Sequence, residues 1–67
     1  MKDFFKYYGK TVKLIHKDLG ELFGKIVDYE PSGDSDDFQV HLGLRTKDRD
    51  YDLDISESEI VSIIILE

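Results

Sequence analysis

Apolar and polar residues alternate through most of this 67-residue chain, in short runs that are separated by turn-forming residues. A period of two is typical of β-strands that bury one face. Five such runs are present: from Thr11 onward, from about Glu21 to Tyr29, from Phe38 to Leu44, from Tyr51 to Ile55 and from Ile60 to Leu66. Five short strands with turns between them predict a mainly β fold, a small antiparallel barrel formed by a single domain over residues 1–67.

The alternation also predicts which side chains face the core. In the second run, Leu22 and Ile26 share one face. The loop Glu30–Asp37, which holds the only proline, separates this run from the third. The residues expected to point inward in the third and fourth runs are Phe38, Val40, Leu42, Leu44, Tyr51, Leu53 and Ile55.

A short helix is expected ahead of the first strand. Asp3 can accept hydrogen bonds from the free N–H groups of a first helical turn, and Gly9 suits the left-handed residue that ends a helix. Phe4 and Tyr8 are four residues apart and would lie on one helical face. One or two turns do not persist alone, so we expect these aromatic side chains to cover one end of the barrel.

The length and composition favour self-association. A chain this short buries a limited core, and small domains gain stability from disulfides, metals or partner subunits. The sequence holds no cysteine, which excludes disulfides and thiolate metal sites. The missing cysteine and the absence of an apolar signal segment near the N-terminus are typical of a cytoplasmic protein, and no apolar run predicts a membrane span.

The formal net charge of −6 is unevenly distributed. Residues 1–25 carry six Lys or Arg and three Asp or Glu, whereas residues 26–67 carry three and twelve. An acidic chain is repelled by phosphate backbones, which disfavours a nucleic-acid partner. The distribution is compatible with a mixed solvated surface, or with a dipolar subunit whose basic face meets the acidic face of a neighbour.

The fifth run differs from the others because it is apolar on both faces. A strand on a barrel core needs one apolar face only, and an exposed apolar edge strand pairs readily with another chain. We therefore predict a homo-oligomer through the edge of the fifth strand; the alternative is that the N-terminal helix covers this strand within one subunit. The predicted self-association residues are Ile60, Val61, Ile63, Ile64 and Ile65.

Two stretches of the chain resemble the motifs of the Sm-like family. Residues 55–63, Ile-Ser-Glu-Ser-Glu-Ile-Val-Ser-Ile, are similar to the second Sm motif in the spacing of Ile55, Ile60 and Ile63. Residues 12–28 are similar to the first motif, in which a strand, a turn with glycine and a strand with a bending glycine end in Asp. These positions are occupied by Gly20, Gly24 and Asp28, with the glycine spacing one residue short.

The resemblance spans nearly the whole chain and extends to the layout of short bacterial Sm-like proteins. It implies an Sm-like, or SH3-like, barrel with a short N-terminal helix and five antiparallel strands. It also implies assembly, since Sm-like subunits form rings by pairing the fourth strand of one copy with the fifth strand of the next.

The RNA-binding residues of the family are not matched in this chain. Family members that bind RNA use an Asn after the second strand, and the nearest residue here, beyond an enlarged loop, is Asp37. The Arg-Gly pair of the second motif is replaced by Ser56-Glu57. These exchanges remove the polar partner of a stacked base, remove a cation and place an anion close to where phosphate would pass. The resemblance therefore implies the fold without its RNA site.

No pattern in the sequence predicts catalysis or a bound cofactor. His16 and His41 lie on different predicted strands, and no cysteine or recognisable serine motif supplies a nucleophile. Asp34, Asp36 and Asp37 could surround a hard cation, but their spacing lacks the ordering of a calcium loop. We expect a non-enzymatic chain with no catalytic, cofactor or metal site.

The main functional prediction is a self-associating scaffold or interaction module. An alternative is an RNA-binding Sm-like protein, whose basic patch would consist of Lys2, Lys6, Lys10, Lys13, Lys17 and Lys25. A further alternative is an SH3-like module that captures a peptide in an aromatic groove. That groove would consist of Tyr29, Tyr51 and Phe38, although the predicted strand register directs Phe38 and Tyr51 inward.

Overall fold

The computed structural model describes residues 3–34 and 36–66 and confirms a mainly β, antiparallel fold. The five strands are β1 (Thr11–His16), β2 (Gly20–Glu30), β3 (His41–Arg45), β4 (Leu53–Ser56) and β5 (Ile60–Ile65). They form one sheet in the order β4-β3-β2-β1-β5. β4 and β5 are its two edges, and no ladder joins them within the described residues. The predicted barrel was therefore wrong in its closure: the five strands form an open sheet.

The core lies on one face of this sheet. Because alternate residues of a strand point to opposite sides, Val12 and Leu14 of β1 enter the core together, and both are fully buried. Val40 and Leu53 are partly buried and pack against it. The predicted inward positions are confirmed for Leu42, Leu44 and Ile55, which are buried, and Leu22 and Ile26, which were predicted to share one face, are both buried.

Two aromatic residues that were predicted to point inward are exposed instead. β3 begins at His41 and β4 begins at Leu53, so Phe38 and Tyr51 precede their strands rather than extend them. Phe38 is 80% exposed and Tyr51 is 60% exposed. The prediction was wrong at both positions because these residues lie in loops, where alternate side chains do not point to opposite faces of a sheet.

The predicted N-terminal helix is a single 3₁₀ turn, Phe5–Tyr7. The Phe5 N–H donates to Asp3 Oδ1 at 3.1 Å, and Gly9, with φ of +79°, follows the turn in the left-handed conformation. Phe4 is buried but Tyr8 is exposed, so the two rings do not share a face. Within residues 3–34 and 36–66, no helix has the length and apolar character needed to cross a membrane.

Candidate functional site

Among residues 3–34 and 36–66, β5 is hydrogen-bonded to the sheet along one side only. It pairs with β1, where Leu14 lies opposite Ile63 and Ile15 lies opposite Ser62. The register shifts next to Val61, which has no opposite residue on β1 and forms a bulge. In the described part of the chain no strand pairs with the other side of β5, so alternate backbone N–H and C=O groups there face solvent.

The apolar side chains of β5 are divided between the core and solvent. Ile60 and Ile63 are partly buried and pack against the core. Val61 is 66% exposed, Ile64 is 52% exposed and Ile65 is 40% exposed. The exposed apolar surface predicted for this strand is therefore confirmed, whereas self-association itself stays a prediction.

The N-terminal turn flanks β5 without covering it. Between the two lies a groove of about 530 Å³ that is open to solvent. We call it the β5 groove and define it by its apolar walls, Phe4 and Tyr7 on one side and Ile60, Val61 and Ile63 on the other. The alternative that the N-terminal segment shields the strand within one subunit thus fails for the outer residues of β5, which remain exposed.

The opposite edge of the sheet carries a histidine held by two carboxylates. His41 Nδ1 lies 2.9 Å from Asp54 Oδ1, and its Nε2 lies 2.9 Å from Asp37 Oδ1. Ionised carboxylates only accept hydrogen bonds, so both ring nitrogens donate and the imidazole is protonated. The hydrogen bonds to Asp37 and Asp54 raise the pKa of His41 to about 9.

A second ion pair near this edge joins Arg45 of β3 to Asp52. Arg45 Nε donates to Asp52 Oδ1 at 3.0 Å, and Arg45 Nη2 donates to Asp52 Oδ2 at 3.3 Å. Sequence reasoning missed these contacts. Asp37 and His41 are four residues apart in sequence, but Asp54 joins them only through the β3–β4 register, in which it lies opposite Gly43.

His16 has a structural role in the turn between β1 and β2. Its side chain is 7% exposed, and its Nδ1 accepts the N–H groups of Asp18 at 3.0 Å and Leu19 at 3.1 Å. An accepting Nδ1 leaves the proton on Nε2, which lies 3.5 Å from Glu59 Oε2. The ring therefore links the β1–β2 turn to the start of β5.

The loop carboxylates do not form a metal site in the part of the chain that the structure describes. No group of three or more His, Asp or Glu side chains there is arranged to hold a metal ion. Asp37 is bonded to His41, Asp36 is exposed, and the side chain of Asp34 lies outside the described part.

The lysines of the alternative nucleic-acid patch are spread along the sheet. Lys10 and Lys17 flank opposite ends of β1, roughly 20 Å apart at the rise of an extended strand. Lys13 Nζ lies 3.1 Å from Glu21 Oε2, which partly neutralises it. Lys6 lies over the ring of Tyr7, Lys25 is exposed on β2, and Lys2 lies outside the described residues.

The residues of the alternative aromatic groove are not in ring contact with one another. Tyr29 is partly buried, and its ring meets the ring of Phe5 edge-on with centroids 5.2 Å apart. Among the described residues, no ring contact joins Tyr29 to Tyr51 or to Phe38.

Comparison with known proteins gives no match: no family model, no curated protein and no solved structure is significantly similar to this chain. The Sm-like resemblance therefore stays a prediction. The two unlike edges of the sheet are the features from which a function can be argued.

Proposed function

We propose that this chain is a non-catalytic, Sm-like protein that self-associates through the edge of β5 and acts as a scaffold or interaction module. One observation carries the proposal: β5 is a six-residue edge strand without a charged side chain, and Val61, Ile64 and Ile65 are exposed on it. Edge strands of monomeric proteins are usually short, charged or covered, because a free apolar edge pairs with other chains.

Burial of the exposed β5 side chains would contribute free energy to such an association. Full burial of an Ile or Val side chain is worth roughly 1.5–3 kcal/mol, so each partly exposed side chain on β5 still offers roughly 1 kcal/mol. Val61, Ile64 and Ile65 of one β5 strand together offer roughly 3 kcal/mol, and the backbone ladder to the next copy would have to supply the rest of the ~4–15 kcal/mol lost in joining two molecules.

The strand order supports the Sm-like part of the proposal. It leaves the fourth and fifth strands as the two free edges of the sheet, and these are the strands through which the resemblance implies that copies join. The positions that depart from the RNA-binding pattern have other uses: Asp37 binds His41, and Glu57 Oε1 accepts the Val40 N–H at 2.9 Å. We therefore propose assembly without an RNA site.

The proposal is tested by comparing Ile64→Glu with Leu19→Glu, because both side chains are 52% exposed and only Ile64 lies on β5. Light scattering on a sizing column gives the absolute mass of each variant, and circular dichroism checks that each is folded. We expect Ile64→Glu to have the mass of the 7.8 kDa monomer, since a charge would enter an apolar contact, and Leu19→Glu to match the unmodified chain. An Ile64→Glu variant with the mass of an unmodified oligomer would refute the assignment.

A further inference from the structure

The hydrogen bonds between β1 and β5 determine which backbone groups of β5 are left for a partner. The Leu66 N–H donates to the Thr11 carbonyl oxygen at 2.9 Å. In an antiparallel ladder, every second residue directs both its N–H and its C=O to the same neighbouring strand. Leu66 and Ile64 therefore face β1, whereas the N–H and C=O groups of Ile63 and Ile65 point to the side of β5 that no described strand occupies.

The regular part of this free side lies in the second half of β5. The strand begins directly after the 3₁₀ turn Glu57–Glu59, and Val61 forms a bulge where the register with β1 shifts. A bulge bends the strand and interrupts the alternation of its hydrogen-bonding groups. Residues 62–66 pair with β1 without a further shift. Ile64 is the centre of this regular segment.

The segment is complementary to a second copy of itself. If two such segments run antiparallel about a two-fold axis at Ile64, Ile63 of each copy lies opposite Ile65 of the other. These are the residues whose backbone groups point outward, so both can form the hydrogen bonds of a ladder. Ile64 then lies opposite Ile64 in a non-hydrogen-bonded pair, where Cβ atoms are about 4.5–5.5 Å apart.

The side chains around the axis are compatible with this pairing. Ile64 is 52% exposed and lies opposite Lys13 of β1, on the face of the sheet away from the core. Self-pairing covers Ile64 with the same apolar side chain. The Lys13 residues of the two copies would be three strand spacings apart, about 14 Å, which exceeds the Debye length of about 8 Å at physiological salt. No like charges therefore oppose the contact at its centre.

The other edge strand is a poorer partner for β5. β4 has four residues, and Asp54 within it lies on the face away from the core, because its neighbour Ile55 is buried. The Asp54 side chain is 77% exposed and bonded to His41. Pairing of β5 with β4 would place this carboxylate along the face that carries Ile64 and would remove water from it, which is costly. A second copy of β5 brings no charge to this face.

We propose that β5 of one copy pairs antiparallel with β5 of a second copy about a two-fold axis at Ile64, so that the two open sheets join into one continuous sheet. The inference rests on the proposed self-association and adds the partner strand and its register. A contact that uses the same surface on both copies closes on itself, so the expected assembly is a dimer rather than a ring.

The chain holds no cysteine, so one introduced thiol reports which residues of two copies meet. In Ile64→Cys the two thiols would occupy the pair at the axis, whose Cβ separation is close to that of a disulfide. Leu19→Cys is the matched control, because both original side chains are 52% exposed and Leu19 lies between β1 and β2. Covalent dimer is followed by gel electrophoresis after the reductant is removed. We expect Ile64→Cys to cross-link at least about tenfold faster than the control, because pairing raises the effective concentration of its thiols.

A mixing experiment tests the register with Ile64 unchanged. In the proposed pairing, Ser62 of one copy lies opposite Leu66 of the other. A mixture of Ser62→Cys and Leu66→Cys, with a mass tag on one of them, should therefore give the mixed disulfide almost exclusively. Each variant alone should cross-link at the control rate, since its two thiols would be about 14 Å apart, beyond the reach of a disulfide.

The outcomes separate this inference from the proposed function. Light scattering with reductant gives the mass of the unmodified chain and of each variant. If the unmodified chain is oligomeric but Ile64→Cys cross-links no faster than Leu19→Cys, and the mixture gives no preferred disulfide, the β5–β5 pairing is overturned and self-association stands. If Ile64→Cys itself weakens association, the mixture decides: a preferred mixed disulfide supports the pairing, and a random distribution overturns it. A monomeric unmodified chain overturns both proposals.

Discussion

The two edges of this sheet differ in the properties that govern pairing with another chain. β4 has four residues, and the carboxylates at this edge, Asp52 and Asp54, are bound to Arg45 and His41. β5 has six residues and no charge, and three of its apolar side chains are exposed. Short length and charge are the usual protections of an edge strand. The contrast teaches that the unprotected apolar edge of this sheet is β5 and not β4, so the proposed self-association is expected to involve β5.

The same substitution in the two edge strands should have different consequences. Ile55 of β4 is 1% exposed, so Ile55→Ala should lower the free energy of unfolding by about 2–5 kcal/mol through lost contacts and a cavity. Ile65 of β5 is 40% exposed, so Ile65→Ala should cost the monomer less than half of that and weaken association instead. Urea unfolding of dilute samples measures the first effect, and mass against concentration measures the second. Equal losses of monomer stability would contradict the contrast.

The 3₁₀ turn between the two edges should contribute the next largest effect. Glu59 Oε1 accepts the Ser56 N–H and the Ser56 Oγ–H, each at 3.0 Å. Both hydrogen bonds lower the pKa of the Glu59 carboxyl, and the one from the Ser56 N–H has the larger effect. Glu59→Ala should therefore lower the free energy of unfolding by about 1–2 kcal/mol at neutral pH, measured by urea unfolding.

The pH dependence of Glu59 follows from the direction of its pKa shift. A lowered folded-state pKa gives stability that is present above the ordinary pKa of a glutamate, and that stability is lost as pH falls through the folded-state value. The difference between the unmodified chain and Glu59→Ala should accordingly shrink in acid. A difference that stays constant down to the acid unfolding of the chain would show that the hydrogen bonds of the carboxylate contribute nothing.

At the β4 edge, His41 should make stability fall in mild alkali. Its pKa is raised from 6.5 to about 9, so its contribution is complete below pH 6.5 and is lost as pH rises through about 9. We expect a loss of at most about 1 kcal/mol, because the contact with Asp54 is largely solvated. Asp54→Asn should lower the pKa of His41, measured by NMR titration. An unchanged titration would mean that Asp54 does not bind the ring.

The smallest effect is expected for the ion pair between Lys13 and Glu21, which lies on β1 and β2 beside β5. The Lys13 side chain is 35% exposed and the Glu21 side chain is 50% exposed, so water screens the pair. A double-mutant cycle of Lys13→Ala and Glu21→Ala should give a coupling of about 0.2–0.5 kcal/mol that vanishes in high salt. A coupling above 1 kcal/mol would show that the pair is less solvated than its exposure indicates.

The sequence predicted the parts of the fold that depend on local alternation. The burial of Leu42 and Ile55 and the shared face of Leu22 and Ile26 follow from a period of two, which a strand imposes on its own side chains. The limits of the strands were less predictable. In the sequence the alternation extends back to Phe38, but in the structure Phe38 lies in the loop before β3 and has a positive φ.

The candidate site could be predicted only in part. The exposed apolar surface of β5 could be predicted from composition, because a strand with two apolar faces must leave one of them uncovered on a single sheet. The contacts of His41 could not be predicted from the sequence, since they require the β3–β4 register that brings Asp54 to the ring. The β5 groove also required the structure, because the N-terminal turn and β5 are about 55 residues apart in the sequence and are brought together only by folding.

The central claim, self-association through β5, is tested most directly by the absolute mass of the unmodified chain in solution at low and high salt. We expect a discrete multiple of 7.8 kDa that persists in high salt, because contacts between apolar side chains are not screened as ion pairs are. A mass of 7.8 kDa at high protein concentration in both conditions would contradict the account, because the exposed edge of β5 would then remain in solvent without a partner.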